Sequence, residues 1–350
     1  MKKVFCHVLL FNTPKAQALR CVESVLAQEQ EGVEILCAVS DNGGGSSETL
    51  YACAEIPGCI VWSNEHNFGF CGGHNIAALR ARRWGADFFV VLNPDVVLTP
   101  GALTAMVASF ERDPAIGLVT PKLLRSDSEG RPIIPPMIDA AGMHLTCSFR
   151  HFDRGGDQVD SGQFDQGTFV FGGTGACLML SQGAISRLEL HVGASEADTL
   201  KVHPEMTYAP ERLFLFDEAF FAYREDAELS FRAQCLGIKV WYEPSAVALH
   251  VRKQRGAGRA HEVVNSLSVK NRFLLQALYS SWSSIFVKLC TSLRNCIVVS
   301  GVYLFERSSL PALANATLLR QRASLRRKEL ARRNPQGLQS LSRWFYKEYE

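Results

Sequence analysis

Four times in the first hundred residues an apolar run of strand length stops at a cluster of Asn, Asp and Gly. VFCHVLLF gives way to NTP, VEILCAVS to DNGGGSS, CIVW to SNEHNFGFCGGHN, and DFFVVL to NPD. Near-continuous apolar runs belong to strands covered on both faces, because a strand with one wet face alternates. Helix-like stretches at 15–28 and 76–84 lie between the strands at 4–11, 33–40, 59–62 and 87–92. Strands separated by helices imply βαβ units and a mostly parallel sheet with helices on both faces, an α/β fold. Asp41, the 67–75 loop and Asp95 then share one rim, at the carboxyl ends of neighbouring strands, where open α/β sheets bind ligands.

The remainder is less regular. Residues 121–168 are rich in Pro, Gly and Asp, with short apolar runs and no helical period, and are expected to form irregular hairpins and loops. FVFGGTGACLML at 169–180 resumes strand character. Residues 191–212 read as a long polar connection, of the kind that is usually functional or mobile. In EDAELSFRAQCL, 225–236, Leu229, Ala233 and Leu236 fall on one helical face, and Gly237 suits the C-terminal cap. Residues 238–249 are extended with a break at Glu243-Pro244, and beyond Glu262 the pattern is helical to the end.

A chain of 350 residues accommodates one large α/β domain plus an appendage, or two modest domains. Its 47% hydrophobic and 21% charged residues exclude a disordered protein. The net charge of +2 hides an asymmetry, since from Glu306 onward ten Lys/Arg face four Asp/Glu. A nucleic-acid partner is not expected, because the basic tail lacks interleaved aromatics and the body is acidic. Eleven cysteines, an odd number without a C-x-x-C pair, suit small buried hydrophobes in a reducing compartment. MKKVFCHVLLF is followed by no convincing cleavage site and suits a first strand, so a cytoplasmic location is expected. No window reaches the uninterrupted apolar length of a spanning helix, the stretch 285–305 being broken by Lys288 and Arg294. Contact with a membrane surface is expected instead.

By itself Asn-Pro-Asp at 93–95 favours a turn over a ligand site. Asp95 nevertheless suits a hard divalent cation such as Mg²⁺ or Mn²⁺ at a diphosphate, with Asn93 adding a hydrogen bond. His250 ends an extended segment beside VRKQRG, where Arg252, Lys253 and Arg255 either offset phosphate charge or form a solvated loop. Glu225, Asp226 and Glu228 favour a helix dipole at a helix start. A carboxylate there also serves as general base if a hydroxyl comes within reach and water is kept out. The glycines of NFGFCGGHN do not form G-x-G-x-x-G, and a dinucleotide oxidoreductase would place its glycines after the first strand, where NTP stands. They either admit a bulky ligand to the backbone or make tight turns.

Taken together, AVSDNGGGSS, NEHNFGFCGGHNIA, VVLNPDVVL, FGGTGACLML, FDEAFFAYREDAELSFRAQCLGIKVWYEPSAVALH and KNRF, in that order over 4–273, resemble glycosyltransferase family 2. Within that family of inverting nucleotide-sugar transferases the likeness is to the bacterial rhamnosyltransferase-like branch. It implies a GT-A fold: a Rossmann-like, mostly parallel central sheet flanked by helices, with a C-terminal helical extension. The glycosyltransferase domain would be 1–260, with a nucleotide-sugar half at 1–120 and an acceptor half at 121–260. Residues 261–350 would meet a membrane surface or, in a homodimer, another copy. The resemblance also assigns roles. Asn12 and Asp41 would contact the nucleotide, and Asn67, Gly69, Gly72, Gly73 and Asn75 would shape the donor pocket. Asn93-Pro94-Asp95 looks like the Asp-x-Asp element, with Asp95 on the metal that holds the donor diphosphate and His250 completing that metal site. Gly173, Thr174 and Gly175 would face the acceptor, and Asp226 would be the catalytic base with Glu225 beside it.

The same resemblance implies a cytoplasmic enzyme, peripheral on the inner face of the cell membrane. It would use a divalent metal to move rhamnose from dTDP-rhamnose to a cell-surface glycan or lipid-linked acceptor. A UDP-hexose or galactofuranose donor is the alternative within the class. A catalytically silent nucleotide- or sugar-binding protein is the alternative outside it, and the joint presence of Asp95, Asp226 and His250 favours the enzyme.

Overall fold

A computed structural model describes residues 1–28, 32–191, 196–252, 262–280 and 284–345. The alternating first part comprises β1 (Lys2–Leu10), α1 (Lys15–Leu26), β2 (Val33–Asp41), α2 (Ser47–Ala54), β3 (Cys59–Ser63), α3 (Gly69–Trp84) and β4 (Phe88–Leu92). Next are β5 (Val96–Leu98), α4 (Ala102–Ser109), β6 (Ile116–Arg125), β7 (Ile138–Ala140), β8 (Met143–Leu145), β9 (His151–Asp153), β10 (Thr168–Val170) and β11 (Cys177–Ser181). Then come α5 (Gln182–Leu188), α6 (Glu196–Val202), α7 (Glu225–Cys235) and β12 (Lys239–His250), and the tail of α8 (Glu262–Tyr279), α9 (Ile285–Phe305), α10 (Leu310–Leu318) and α11 (Arg320–Arg333).

The strands lie in the order β10-β12-β6-β11-β4-β1-β2-β3, with β5 paired to β12 and β7 to β6. β4, β1, β2 and β3 run parallel, so their carboxyl ends share a rim. β11 enters antiparallel between β4 and β6. β1 shows why helices cover both faces: Val4, Cys6, Val8 and Leu10 join one core with α1 and α4, while Phe5 joins the other with α3, α7 and α8. A strand apolar on both sides needs such cover. The result is the GT-A arrangement of a mixed sheet flanked by helices.

Three sequence expectations change. The glycine-rich NFGFCGGHN is not a loop leading to a helix at 76; α3 begins at Gly69, and the low helix propensity of its glycines hides two turns. Pro121 does not open an irregular region but lies inside β6, a central strand. Proline cannot donate to a ladder, and it is accommodated opposite Glu243, where β12 shifts register before Val247. The polar connection 191–212 carries α6 and a 3₁₀ turn, Pro204–Tyr208, whose Met206 is buried with Phe68 and Ile76 of the α3 end.

The basic tail also differs from expectation. Leu274, Leu278, Leu319, Ala323 and Leu330 belong to the same core as the sheet. Arg322 and Arg326 of α11 are buried, with Arg322 paired to Asp217. Part of the charge run is therefore turned inward by Asp217, a buried carboxylate in the body, while Arg320, Lys328 and Arg332 stay exposed. α9 is the element that stays outside. It is one continuous 21-residue helix despite Lys288 and Arg294, long and apolar enough by length and composition to cross a membrane, and 17% of its apolar window is buried.

Candidate active site

The rim of β2 and β3 is built on asparagines. Asp41 ends β2, is 2% exposed and keeps Oδ1 without a partner. A buried acceptor left open is costly unless something outside the chain satisfies it. The next residue, Asn42, donates to Asn67 Oδ1 (3.0 Å) and to the Gly69 carbonyl (2.9 Å), and accepts from Asn64 Nδ2 (3.2 Å). Asn42 and Asn64 thereby lock the loops after β2 and β3 together. Asn12, in the left-handed region at φ 51°, lies against the same loop beside Gly44 and Gly45. The structure thus brings Asn12, Asp41 and Asn67 into one place.

The donor-pocket glycines have protein neighbours. Gly69 sits at φ 64°, and a Cβ there would collide with the carbonyl oxygen of Phe221. Gly72 and Gly73 face Phe68 with Met206, and Leu9. These glycines serve close packing of chain on chain rather than of chain on ligand. Asn75 is fully buried; its Nδ2 donates to Phe216 O and Glu218 Oε1 (both 3.0 Å), and its Oδ1 accepts from Phe216 N (2.8 Å). It holds the 216–218 segment and offers no donor hydrogen to a ligand. Gly69→Ala is expected to lower stability by roughly 1–2 kcal/mol from the left-handed conformation alone, with the clash adding to it. Thermal unfolding would show the loss, and an unchanged midpoint would mean the Phe221 segment moves freely.

Strand pairing assembles a second group. β5, directly after Asn93-Pro94-Asp95, pairs with the end of β12 so that Val96 faces His250, and Asp95 O accepts from Val251 N (2.9 Å). β7 pairs with β6 beside β12 and delivers Asp139. His250 Nε2 lies 3.3 Å from Asp95 Oδ1, and its Nδ1 lies 2.7 Å from Asp139 Oδ2. Burial works against the imidazolium, but the hydrogen bond to Asp139 and the nearby carboxylate of Asp95 raise the pKa of His250 to about 9. Sequence reasoning misses Asp139: a lone Asp in IDAAG carries no signal until β7 is placed. Its bond to one imidazole nitrogen leaves the other facing Asp95, the carboxylate–histidine arrangement found behind metal ligands.

Arg252, expected to offset phosphate, is already paired with Asp139 Oδ1 (2.8 Å) and Asp153 Oδ2 (2.9 Å). Arg255 and Lys253 lie outside the described residues. Asp95 Oδ1 is buried and makes no well-aligned hydrogen bond. Among the described residues no three His, Cys, Asp or Glu side chains could enclose a metal. Asp95 and His250 suit a divalent cation that takes its other ligands from diphosphate and water, the usual habit of Mg²⁺.

The third group is tied to the second by one loop. Asn93 N donates to Ala176 O (2.9 Å), and Gly175 N donates to Asp226 Oδ2 (3.1 Å). Gly173, Thr174 and Gly175 thus span from the NPD turn to the start of α7, and Thr174 Oγ1 accepts from Ala176 N (3.3 Å). Asp226 also accepts from Ala227 N at 2.7 Å. Burial raises the pKa of Asp226 and the two N–H donors pull it back. Glu225 is pushed well up by burial and by the charge of Asp226, and its Oε2 is unpartnered. The two adjacent carboxyls sit in unlike surroundings: Asp226 accepts from two backbone N–H groups, whereas Glu225 Oε2 has no partner.

α7 starts from a strained turn, with φ of 65°, 68° and 69° at Phe221, Tyr223 and Arg224. Such positions persist only where neighbours impose them. Here Asn271 Nδ2 lies 2.9, 2.8 and 2.6 Å from the carbonyls of Phe220, Ala222 and Tyr223, and Lys270 Nζ lies 2.6 Å from that of Ala219. The Lys-Asn of KNRF clamps the turn that aims Asp226.

The family described as Glycosyl transferase family 2 matches over residues 7–166. N-acetylglucosaminyl-diphospho-decaprenol L-rhamnosyltransferase of Mycobacterium tuberculosis, from strains CDC 1551 / Oshkosh and ATCC 25618 / H37Rv, is 24% identical over 280 residues, 74% of this chain and 79% of the relative. The crystal structure of GalNAc-T7 with UDP, GalNAc and Mn²⁺ superposes with a TM-score of 0.57 at 12% identity, over 98% of this chain and 58% of that one. The chain spans less than two thirds of that structure, and the likeness is one of fold.

Proposed function

We propose that the chain, like the family 2 glycosyltransferases it is similar to, transfers a sugar, and that it moves rhamnose from dTDP-rhamnose, with inversion, to a hydroxyl of a lipid-linked acceptor. The observation that carries this reading is the 173–176 loop, which bonds the NPD turn at one end and Asp226 at the other and so ties a diphosphate-side carboxylate to a base through one short segment. The M. tuberculosis relative, by its name a rhamnosyltransferase acting on a diphospho-decaprenol, favours this donor and acceptor class. A UDP-hexose remains the second reading, since the open oxygen of Asp41 accepts from the ring N–H of thymine and uracil alike.

Asp95 and His250 would hold a divalent cation, which when bound stabilises charge on the departing diphosphate. Asp226 takes the proton from the acceptor hydroxyl, whose oxygen forms a bond to the anomeric carbon on the face opposite the diphosphate. The anomeric carbon–oxygen bond breaks and its electron pair leaves with the nucleotide. The Gly175 and Ala227 N–H groups aim Asp226 and favour its carboxylate form against the effect of burial. An enzyme working in this way on a polyprenyl carrier acts in the cytoplasm, at the inner membrane face.

Calorimetric titration with dTDP, UDP and GDP, with and without Mn²⁺, tests the donor side. Mn²⁺-dependent dTDP binding that is lost in Asp95→Ala is the expected result. Binding of UDP alone would move the donor to a UDP-sugar, and a folded protein that binds no nucleotide would sink the proposal.

A further inference from the structure

Arginines from four segments come together, one of them, Arg224, two residues before Asp226. Arg224, two residues before the base, reaches α8, with Nε 3.3 Å from Ser268 O and Nη2 3.3 Å from Ser268 Oγ. Arg272, one turn further along α8, donates Nε to Asn295 of α9 at 3.1 Å. Arg294 of α9 donates Nη1 at 3.3 Å to Ser148 Oγ, in the loop that also carries Arg150. Arg150 lies over the Phe152 ring at 3.9 Å. Elsewhere buried guanidinium groups meet carboxylates, as in Arg212–Glu218, Arg232–Glu228 and Arg322–Asp217. Among the described residues Arg224, Arg272 and Arg294 have no such partner, and Nη2 of the 6% exposed Arg272 is buried with no hydrogen bond.

The cations feel one another. Burial, then Arg294 and Arg150, bring Arg224 down to about 10, and burial, then Arg294, Arg224 and Arg150, bring Arg272 down to about 10. Gathering like charges in a partly buried place is unfavourable, and a bound anion would offset it.

The helix that supplies Arg294 has a second property. Val287, Thr291 and Val302 of α9 are buried against the body, while Phe286, Leu289, Leu293, Ile297 and Leu304 on its other side are each more than half exposed. A wide apolar helix face left outside the protein belongs against an apolar medium. A row of large apolar side chains beside an arginine cluster complements a molecule with a charged head and a hydrocarbon tail.

We propose that Arg150, Arg224, Arg272 and Arg294 bind the diphosphate of a lipid-linked acceptor, while the outer side of α9 lies in the membrane leaflet that carries its tail. The inference rests on the lipid-linked acceptor reading of this same site and adds where the head and the tail go. Arg224 stands two residues from Asp226, so a sugar attached directly to that diphosphate has its hydroxyls at the base. Arginine is suited to the task, because its planar fork matches phosphate oxygens two at a time.

Cosedimentation of the full chain with phosphatidylcholine vesicles, plain or doped with either polyprenyl diphosphate or an equal charge of phosphatidylglycerol, tests this. The polyprenyl diphosphate vesicles should bind most tightly. Arg272→Gln/Arg294→Gln should weaken that binding roughly thirtyfold, and Arg294→Gln alone, at a partly buried position, roughly fivefold, with Mn²⁺-dependent nucleotide binding as in the parent. Leu289→Ser/Ile297→Ser should weaken vesicle binding yet keep the affinity for inorganic pyrophosphate in solution. Equal binding to phosphatidylglycerol vesicles, or parent-like binding by Arg294→Gln, would overturn the proposal. So would loss of vesicle binding to competing pyrophosphate with the serine variant unaffected, which would make the cluster a site for free phosphate. A parent that binds the vesicles but no nucleotide would remove the donor reading and leave this one.

Discussion

Asp226→Asn lowers kcat by roughly 10²- to 10⁴-fold, the usual contribution of a general base, and leaves nucleotide affinity unchanged. The substitution keeps the shape and the acceptor oxygen that receives the Gly175 N–H, so the 173–176 loop and the NPD turn stay in place. It removes the group that takes the proton. The pH profile gives an independent check. Burial raises the pKa of Asp226, so the base form is lost, as pH falls, at a higher pH than for an ordinary aspartate. The acid limb of kcat/KM in the parent should therefore lie above the usual Asp range, and the Asn variant should lack it. The effect on stability has the opposite sense: a folded-state pKa above the unfolded one favours folding at low pH, and that contribution is lost as pH rises through the raised value. An Asn variant with parental kcat, or with the same acid limb, would assign the base elsewhere.

Arg322→Met should cost roughly 3–5 kcal/mol, because it leaves a carboxylate buried without its main partner. Asp217 is 1% exposed, and Arg322 grips it with Nη1–Oδ2 at 2.8 Å and Nη2–Oδ1 at 2.6 Å. Burial alone would raise the pKa of Asp217, yet Arg322 and Arg326 hold it below the usual carboxylate range. The pair thus stabilises the fold above the unfolded pKa, and its contribution fades as pH falls towards the depressed folded value. Urea unfolding of Arg322→Met and of Asp217→Asn/Arg322→Met tests the assignment. The double variant should recover much of the loss, since it removes the buried charge along with its partner. If it is no more stable than the single one, the arginine acts through packing and not through charge. Because Glu218 and the strained 221–224 turn come directly after Asp217, a loosened α11 should also reduce turnover.

Much of the rim was legible in the residues. β1 to β4 appear as apolar runs because a strand covered on both faces has no polar position to hide it. Asp41, the 67–75 loop and Asp95 stand out because open α/β sheets bind ligands just past such runs, whereas Asn12 came only with the family resemblance. The sequence reading failed where packing contradicts local propensity. Gly69, Gly72 and Gly73 are poor helix formers and look like a loop, yet α3 starts there because Phe221, Met206 and Leu9 leave no room for side chains. Pro121 looks like a strand breaker, yet the offset in β12 accommodates it.

By itself the sequence determined the alternation of strands and helices over the first hundred residues, the sheet edge at which polar groups collect, and the side-chain types available there. Only the tertiary structure decided which of those polar groups are already satisfied by protein and which remain open. Asn75 and Arg252 look as available as Asp41 and Arg272 when written in a row. The partners that occupy the first two, Phe216 and Asp139, are 141 and 113 positions away. The histidine facing Asp95 is likewise oriented by a carboxylate 111 positions distant. Hydrogen bonding and burial act through space over a few ångströms, so whether a side chain is free to meet a ligand is a property of the packed chain and not of its local sequence.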